Sequence, residues 1–446
     1  MITPTTDHDF NAVIIGANTR GLVTALVLTR LGFRVALLEK TNRLGGGDAS
    51  FTTRAGNRFE FGMHVLDYMR AGVATCLFTD VVDGAVHRSL LRRGIVLRGH
   101  LMPYAPEPSA MPRELRSMLP GDALVDDVGD ELPTRARLAR YYGQSFADLI
   151  FDEVLPSYPT ENRHREFGVD EALLLPNIYP WFFPRARRTP KSGDASRAYH
   201  DKLRTGIPQE VLYPREGGFG GFAAGFVRKL EAGGAEVLLG ADDLEVQVEP
   251  GTHTVRCVTA NGRVFQATHY FWATSWPVLC RLLDLPCQEV ATDLVVLGSF
   301  QFDRPLSGEY QEILVGDPDF LINRVSFPAR FRDSEEPLLQ IEFAFPRAED
   351  RPIDPAGWKQ RWLADLRRLG IVGDQHEVLD YDFKSVPLHF NAYGMEGEAL
   401  VDADPCLIRA DSNLHAVVPS MNNLNLNNHV PRTVSEVTAL VCRDRG

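Results

Sequence analysis

The feature that most constrains this chain is a strand–turn–helix–strand run in its first forty residues. Ala12-Val13-Ile14-Ile15 is an apolar run that stops at Gly16, as a strand buried on both faces does. A helical stretch follows from about Arg20 to Leu31, with Gly32 where a C-terminal cap belongs. Arg34-Val35-Ala36-Leu37-Leu38 then reads as a second buried strand, closing at Glu39. This is βαβ spacing, and it commits the start of the chain to an α/β layer. The loop Gly16-Ala17-Asn18-Thr19-Arg20-Gly21 stands where a GxGxxG turn would, with Asn18 replacing the middle glycine. Gly16 permits the tight turn, Gly21 lets helix and strand approach, and the helix N-terminus offers N–H groups to a pyrophosphate. Asn tolerates positive φ better than most residues, but its side chain occupies space that glycine leaves open. Glu39, 23 positions after Gly16, suits an acid that accepts hydrogen bonds from ribose hydroxyls. These residues point to a dinucleotide; a βαβ unit that binds nothing is the plain alternative.

Composition removes several other classes. With 446 residues the chain has room for about two or three domains of roughly 150 residues. Lys and Arg total 47 against 59 Asp and Glu, a net charge of −12, the wrong sign for a nucleic-acid clamp or an anionic-membrane binder. The six cysteines are dispersed, with no CxxC pair and no zinc spacing, so no metal is expected and a reducing cytoplasm suits the chain. The start, MITPTTDHDF, is polar and acidic, unlike a signal peptide. The best apolar stretch, 12–31, is interrupted by Asn18, Arg20 and Arg30, so no membrane span is expected.

Three further blocks carry chemistry. Arg43-Leu44-Gly45-Gly46-Gly47 lets backbone pass against a ligand without Cβ clashes. In Phe59-Glu60-Phe61-Gly62-Met63-His64-Val65, a glycine beside a histidine lets backbone and imidazole lie close to a flat ring, although a loop with a surface histidine reads the same way. LYPREGGFGGF, from Leu212, leads into a helix over 222–231. Strands are expected at 235–239, 244–249, 254–259 and 263–267, with Asn261-Gly262 as a hairpin turn, and again at Tyr270–Ala273. Residues 86–210 are rich in Arg and Pro with a helix near 135–152. Residues 291–399 carry strands at 295–302 and 338–345 and a helix at 356–369, and 413–446 ends in a helix from about Arg432. A discontinuous nucleotide-binding domain (1–85, 211–290, 400–446) interleaved with a second domain (86–210, 291–399) is therefore expected.

EKTNRLGGG, FEFGMHV, LYPREGGFGGF and FWATSWPVL together resemble FAD enzymes of the glutathione-reductase-like fold. The resemblance is to the protoporphyrinogen-oxidase, amine-oxidase and phytoene-desaturase group, which includes UDP-galactopyranose mutase. It implies an α/β fold in which a Rossmann-like FAD-binding domain is interleaved with an α+β substrate domain. It places Glu39 at the adenosine ribose, Arg43 with Gly45, Gly46 and Gly47 at the pyrophosphate, and Gly62, Met63, His64 and Val65 at the isoalloxazine. Val246 or Val248 falls in the strand near adenine. Gly16, Asn18, Gly21 and Lys40 join the cofactor set, as do Asn422, Asn423 and Leu424 of the C-terminal loop. Tyr142–Phe151 with Pro156-Ser157-Tyr158, Asn323-Arg324-Val325 with LLQIEFAF, and Ala392-Tyr393 are similar to the mutase branch. That branch implies a nucleotide-sugar substrate isomerised through flavin N5, with His64 and Tyr393 catalytic and Arg187, Arg188, Arg324 and Tyr393 holding substrate. Hydride transfer by an oxidase, desaturase or amine oxidase is the alternative within enzymes, and a cofactor-degenerate binding protein the alternative outside them.

Two phosphate-contacting positions depart from the group's pattern. One is Asn18. The other is the C-terminal loop, Val418-Pro419-Ser420-Met421-Asn422-Asn423-Leu424-Asn425, where a Gly-Arg pair is usual; both departures predict weaker FAD binding. Segment 185–204 carries seven Lys or Arg and two acids beside Tyr179-Pro180-Trp181-Phe182-Phe183. It reads either as a solvated loop or as a lid whose Arg187 and Arg188 close on an anionic substrate.

Overall fold

Strand β1 (Phe10–Ile15) divides its side chains between two cores: Ala12 and Ile14 enter one, Val13 and Ile15 the other. It is the middle strand of a parallel sheet ordered β10 (Glu236–Leu238), β2 (Val35–Leu38), β1, β14 (Ala267–Trp272), β20 (Leu414–Ala416). Both faces of such a sheet must be covered. One face carries helices α1 (Thr19–Arg30), α2 (Val73–Val81), α5 (Gly220–Ala232) and α8 (Leu426–Asp444), through Leu22, Leu26, Phe78, Phe222, Phe226 and Val437. The other carries the antiparallel strands β11 (Glu245–Val248), β12 (Val255–Ala260) and β13 (Arg263–Phe265) with helix α6 (Trp276–Leu282), through Val258, Phe265 and Leu279. The β12–β13 turn is Asn261-Gly262 at φ +50° and +72°, the left-handed pair that a two-residue hairpin favours. The computed structural model describes residues 9–103, 111–118, 135–136, 139, 143–154, 210–249, 252, 254–283, 292–346, 353–389, 412–417 and 426–444.

A second sheet has seven strands. Their order is β19 (Val378–His389), β15 (Thr292–Phe302), β18 (Leu338–Pro346), β17 (Arg324–Ser326), β16 (Glu312–Val315), β7 (Arg93–Leu97), β8 (His100–Pro103), and all pairs but β16–β7 are antiparallel. Helix α7 (Pro355–Arg368), capped by Asp354, lays Trp358, Trp362 and Leu366 on one face. Gly298 is what admits Trp362, because a Cβ there would lie 2.4 Å from the indole. At the β7–β16 end the opposite face, with Ile95, Leu97 and Leu314, packs on Leu115, Phe146 and Ile150. Those three come from α3 (Arg113–Met118), α4 (Gln144–Asp148) and the π-helical run Leu149–Val154. Two small sheets complete the chain: β3 (Ser50–Thr52) with β4 (Arg58–Glu60), and β5 (Leu66–Asp67), β9 (Glu210–Pro214), β6 (Val86–Leu90).

The last helix differs from expectation. It begins at Leu426 rather than near Arg432 and keeps Pro431 inside it. The proline sits in its second turn. Of the helix expected near 135–152, the described residues show helix at 135, 136 and 139, then α4 and the π-helical run. Among the described residues no helix is long and apolar enough to cross a membrane, and no group of three or more His, Cys, Asp or Glu could hold a metal.

Candidate functional site: a dinucleotide cleft and a buried ionic cluster

The β1–α1 turn lies at the carboxyl ends of the parallel strands, between β2 and β14, where open α/β sheets place their ligands. Gly16 has φ +106°, and a Cβ on it would sit 3.1 Å from the Ala273 carbonyl oxygen after β14. A Cβ on Gly21 would lie 2.0 Å from the Gly16 carbonyl oxygen, so the close helix–strand approach requires glycine there. Asn18 needs no positive φ: at φ −72° and ψ 173° it is the N-cap of α1. Its Oδ1 accepts from Arg20 N and Gly21 N, both at 3.1 Å, and its Nδ2 donates to the Ala273 carbonyl. The two amides offered to a pyrophosphate are thus already engaged by a neutral carboxamide.

Glu39 stands at the end of β2. Its Oε2 accepts from Ala17 N at 2.8 Å, and its Oε1 from Thr41 N and Thr41 Oγ1 at 2.9 and 2.8 Å. The carboxylate therefore ties β1's turn to β2's while keeping further lone-pair capacity. Lys40 is exposed, and Arg43 lies over the Phe61 ring at 4.3 Å. Gly45 (φ +92°) donates its N–H to the Ala17 carbonyl at 2.8 Å. Gly46 (φ +61°) passes so near Asn18 that a Cβ would lie 2.8 Å from the asparagine Cβ, and Gly47 is exposed. Val246 is on β11 opposite Val258, packed against the second core. Buried Arg20, in the first turn of α1, is pushed down to about 10 by burial.

The Gly62–Val65 loop is held by two acids. Glu342, reaching across from β18, accepts from Met63 N at 2.8 Å. Glu60, on β4, accepts from His64 N at 3.0 Å and Phe219 N at 2.7 Å, and from the Tyr213 hydroxyl. Burial pushes Glu60 up against those three donors, and burial beside Glu60 pushes Tyr213 up as well. Gly62, at φ +102°, is where a Cβ would meet Glu342, Arg324 and His64 at 3.5–3.6 Å. Arg324 donates to Glu342 through Nε at 2.9 Å and Nη2 at 2.6 Å, and its Nη1 lies 3.5 Å from Glu312. Arg93 closes the cluster on Glu312 at 3.0 Å. Burial alone would raise the Glu312 carboxyl, but Arg93 and Arg324 hold it below the ordinary carboxylate range.

The structure thus brings Gly16, Asn18, Gly21, Glu39, Arg43, Gly45 and Gly46 together at the carboxyl end of the parallel sheet, with Gly62, Met63 and His64 beside Arg324. Arg187, Arg188, Tyr393, Asn422, Asn423 and Leu424 lie outside the described residues, as do Tyr142, Pro156, Ser157 and Tyr158. Sequence reasoning did not single out Glu60, Glu312, Glu342 or Tyr213. The available signal was a lone acid inside an apolar run: FEF, EILV, IEF.

The paired glycine turn, the β1 and β2 ends and the Glu39 carboxylate fit a dinucleotide; among the described residues, Asn18 stands in its way. Replacing it tests this. Asn18→Gly, which costs the helix only a few tenths of a kcal/mol, is expected to tighten FAD about tenfold, ~1.4 kcal/mol, in a fluorescence titration. Weaker binding would instead mean that the carboxamide itself grips the cofactor.

The comparisons with known proteins agree on the fold. A family model described as flavin containing amine oxidoreductase matches residues 21–404. No curated protein matches the chain. A crystal structure of reduced UDP-galactopyranose mutase superposes with a TM-score of 0.67 at 14% identity, covering 99% of this chain and 94% of that one. A protein described as a protoporphyrinogen oxidase from Exiguobacterium sp. 255-15 gives 0.64 at 15%, covering 97% and 98%. A putrescine oxidase gives 0.56 at 12%, covering 97% and 99%. The likenesses establish a shared architecture, and the family match supplies the chemistry: this chain belongs to the flavin containing amine oxidoreductases, FAD-dependent enzymes.

Proposed function

We propose that the enzyme oxidises a small polar molecule at a carbon bearing nitrogen or oxygen, with His64 at the reacting end of the cleft. The observation that carries this reading is the commitment of Arg324. Its guanidinium is held by Glu342 and Glu312 beside Gly62, so this end of the site presents paired ions rather than the open guanidinium fork a diphosphate would call for. FAD, when bound, supplies the two-electron acceptor. The chain's own contribution is placement: Glu39 and the glycine turns set the dinucleotide's path, Glu342 and Glu60 fix the main chain of Met63 and His64, and the imidazole orders the substrate. The seven-stranded sheet, from residues 86–210 and 291–399, is assigned to the substrate, and 1–85, 211–290 and 400–446 to the cofactor.

A second reading, isomerisation of a nucleotide sugar, draws support from the β17–β18 pair with Arg324 opposite Glu342, the strand pair expected of the mutase branch. It would add Tyr393, Arg187 and Arg188 as phosphate ligands. One experiment separates the two. Mixed anaerobically with a panel of amines and polar alcohols, the oxidised protein is expected to lose its flavin colour with one of them. Air should then restore the colour and form peroxide. His64→Ala should lower kcat/KM about a hundredfold with little change in melting temperature. If no member of the panel bleaches the protein, while dithionite-reduced protein isomerises a UDP-hexose without consuming an acceptor, the second reading takes its place.

A further inference from the structure

Asp48 ends the 3-10 turn Gly46–Asp48 and belongs to none of the motifs above. Its two oxygens face different elements. Oδ2 accepts from the Thr19 hydroxyl in the first turn of α1, and Oδ1 lies 3.4 Å from His64 Nε2. The other imidazole nitrogen, Nδ1, is buried with no hydrogen-bond partner. The ring packs against Phe219 at 5.8 Å between centroids, and the His64 main chain is anchored on Glu60.

We infer that Asp48 is a positioning residue: with Thr19 behind it, it holds the neutral form of His64 as the Nε2–H tautomer and leaves Nδ1 an unprotonated lone pair turned into the protein. Two observations favour the same tautomer independently. A proton on Nε2 points at a carboxylate oxygen, which can only accept. A proton on Nδ1 would be a buried donor without an acceptor, a rarer and costlier situation than an unused lone pair. The 3.4 Å separation is long for a hydrogen bond, as such contacts often are before a ligand closes the site. The tautomer does not depend on the oxidase reading.

The test removes the acceptor. Asp48→Leu, of similar shape, leaves Nε2–H facing an apolar side chain, so the tautomer preference is expected to shrink, whereas Thr19→Val keeps the carboxylate and should leave the Nε2–H form dominant. The readout is long-range 1H–15N correlation on histidine-labelled protein at pH 8, with the His64 signals identified by their loss in His64→Gln. The wild type is expected to show the Nε2–H form by at least about tenfold, and Asp48→Leu an excess smaller by about tenfold. A merely structural Asp48 would leave the ratio where it was. An Nδ1–H wild type, or an unchanged ratio in Asp48→Leu, overturns the inference whatever the flavin assay returns, while a normal tautomer pattern in a protein that oxidises nothing would sink the oxidase reading alone.

Discussion

Glu312→Ala is expected to cost about 3–5 kcal/mol of stability, the loss found when one partner of a buried ion pair is removed. Glu312 is 3% exposed and stands between Arg93 at 3.0 Å and Arg324 at 3.5 Å. Removing it leaves two guanidinium groups facing each other, of which Arg324 retains Glu342 and Arg93 loses its partner at this site. The urea midpoint should fall with little change in slope. Exchanging the pair instead, Arg93→Met with Glu312→Leu, should recover most of the loss, since apolar replacement of a buried pair is often neutral or better. A loss for Glu312→Ala below about 1 kcal/mol, the range of exposed pairs, would show that water reaches the cluster. The consequence extends beyond stability, because the same cluster holds Glu342 against the Met63 amide.

Acid is expected to unfold the protein early. His415 and His429 are held far below the ordinary imidazole value, at about 4 and about 3. Burial is the main cause for both; His269, 3.2 Å from His415, and Arg20, near His429, add repulsion. A depressed imidazole means that the unfolded chain binds the proton more readily. The stability these groups contribute is therefore complete above about pH 6.5 and drains away as pH falls towards 4 for His415 and 3 for His429. Each group removes roughly 1.4 kcal/mol per pH unit over its window, several kcal/mol together. Glu312, held low, adds to the loss once pH drops through the carboxylate range, whereas Glu60, raised, works the other way and favours the folded state in acid. Melting temperature against pH should accordingly slope steeply between 6.5 and 4, and His415→Phe should flatten that slope. An unchanged profile in the variant would place the transition elsewhere.

What could be read from the sequence was whatever short-range pattern encodes. The β1–α1–β2 unit, the Asn261-Gly262 hairpin and α7, expected at 356–369 and found at Pro355–Arg368, depend on periodicity, caps and turn residues within a few positions of each other. The seven-stranded sheet did not announce itself that way. Its parallel β7–β16 pair joins residues 93–97 to 312–315, and nothing in either segment names the other. The sheet β5–β9–β6 likewise pairs 66–67 and 86–90 with 210–214. Asn18 was legible as a departure but was weighed for its tolerance of positive φ, when the residue's preference for helix N-caps was the property in use. His64 stood out as a histidine beside glycine; of the acids that fix its loop, Glu60 is local, on β4 beside β3, whereas Glu342 arrives from β18, 279 residues from Met63.

Glu342 ties a strand's register to a loop 279 residues distant in sequence. Along β18 successive side chains point to opposite faces, so sliding the strand by one residue would turn Glu342 away and present Ile341 or Phe343 to the Met63 amide. The spacing of that sheet thus acts as a gauge for the cleft. Residues can be added to or cut from the exposed 333–336 turn without touching the gauge, but a single deletion inside 338–346 would leave the sheet paired and the reacting loop unsupported. A chain diverging from its relatives therefore has wide freedom in that turn and almost none in the count of residues along the strand beside it.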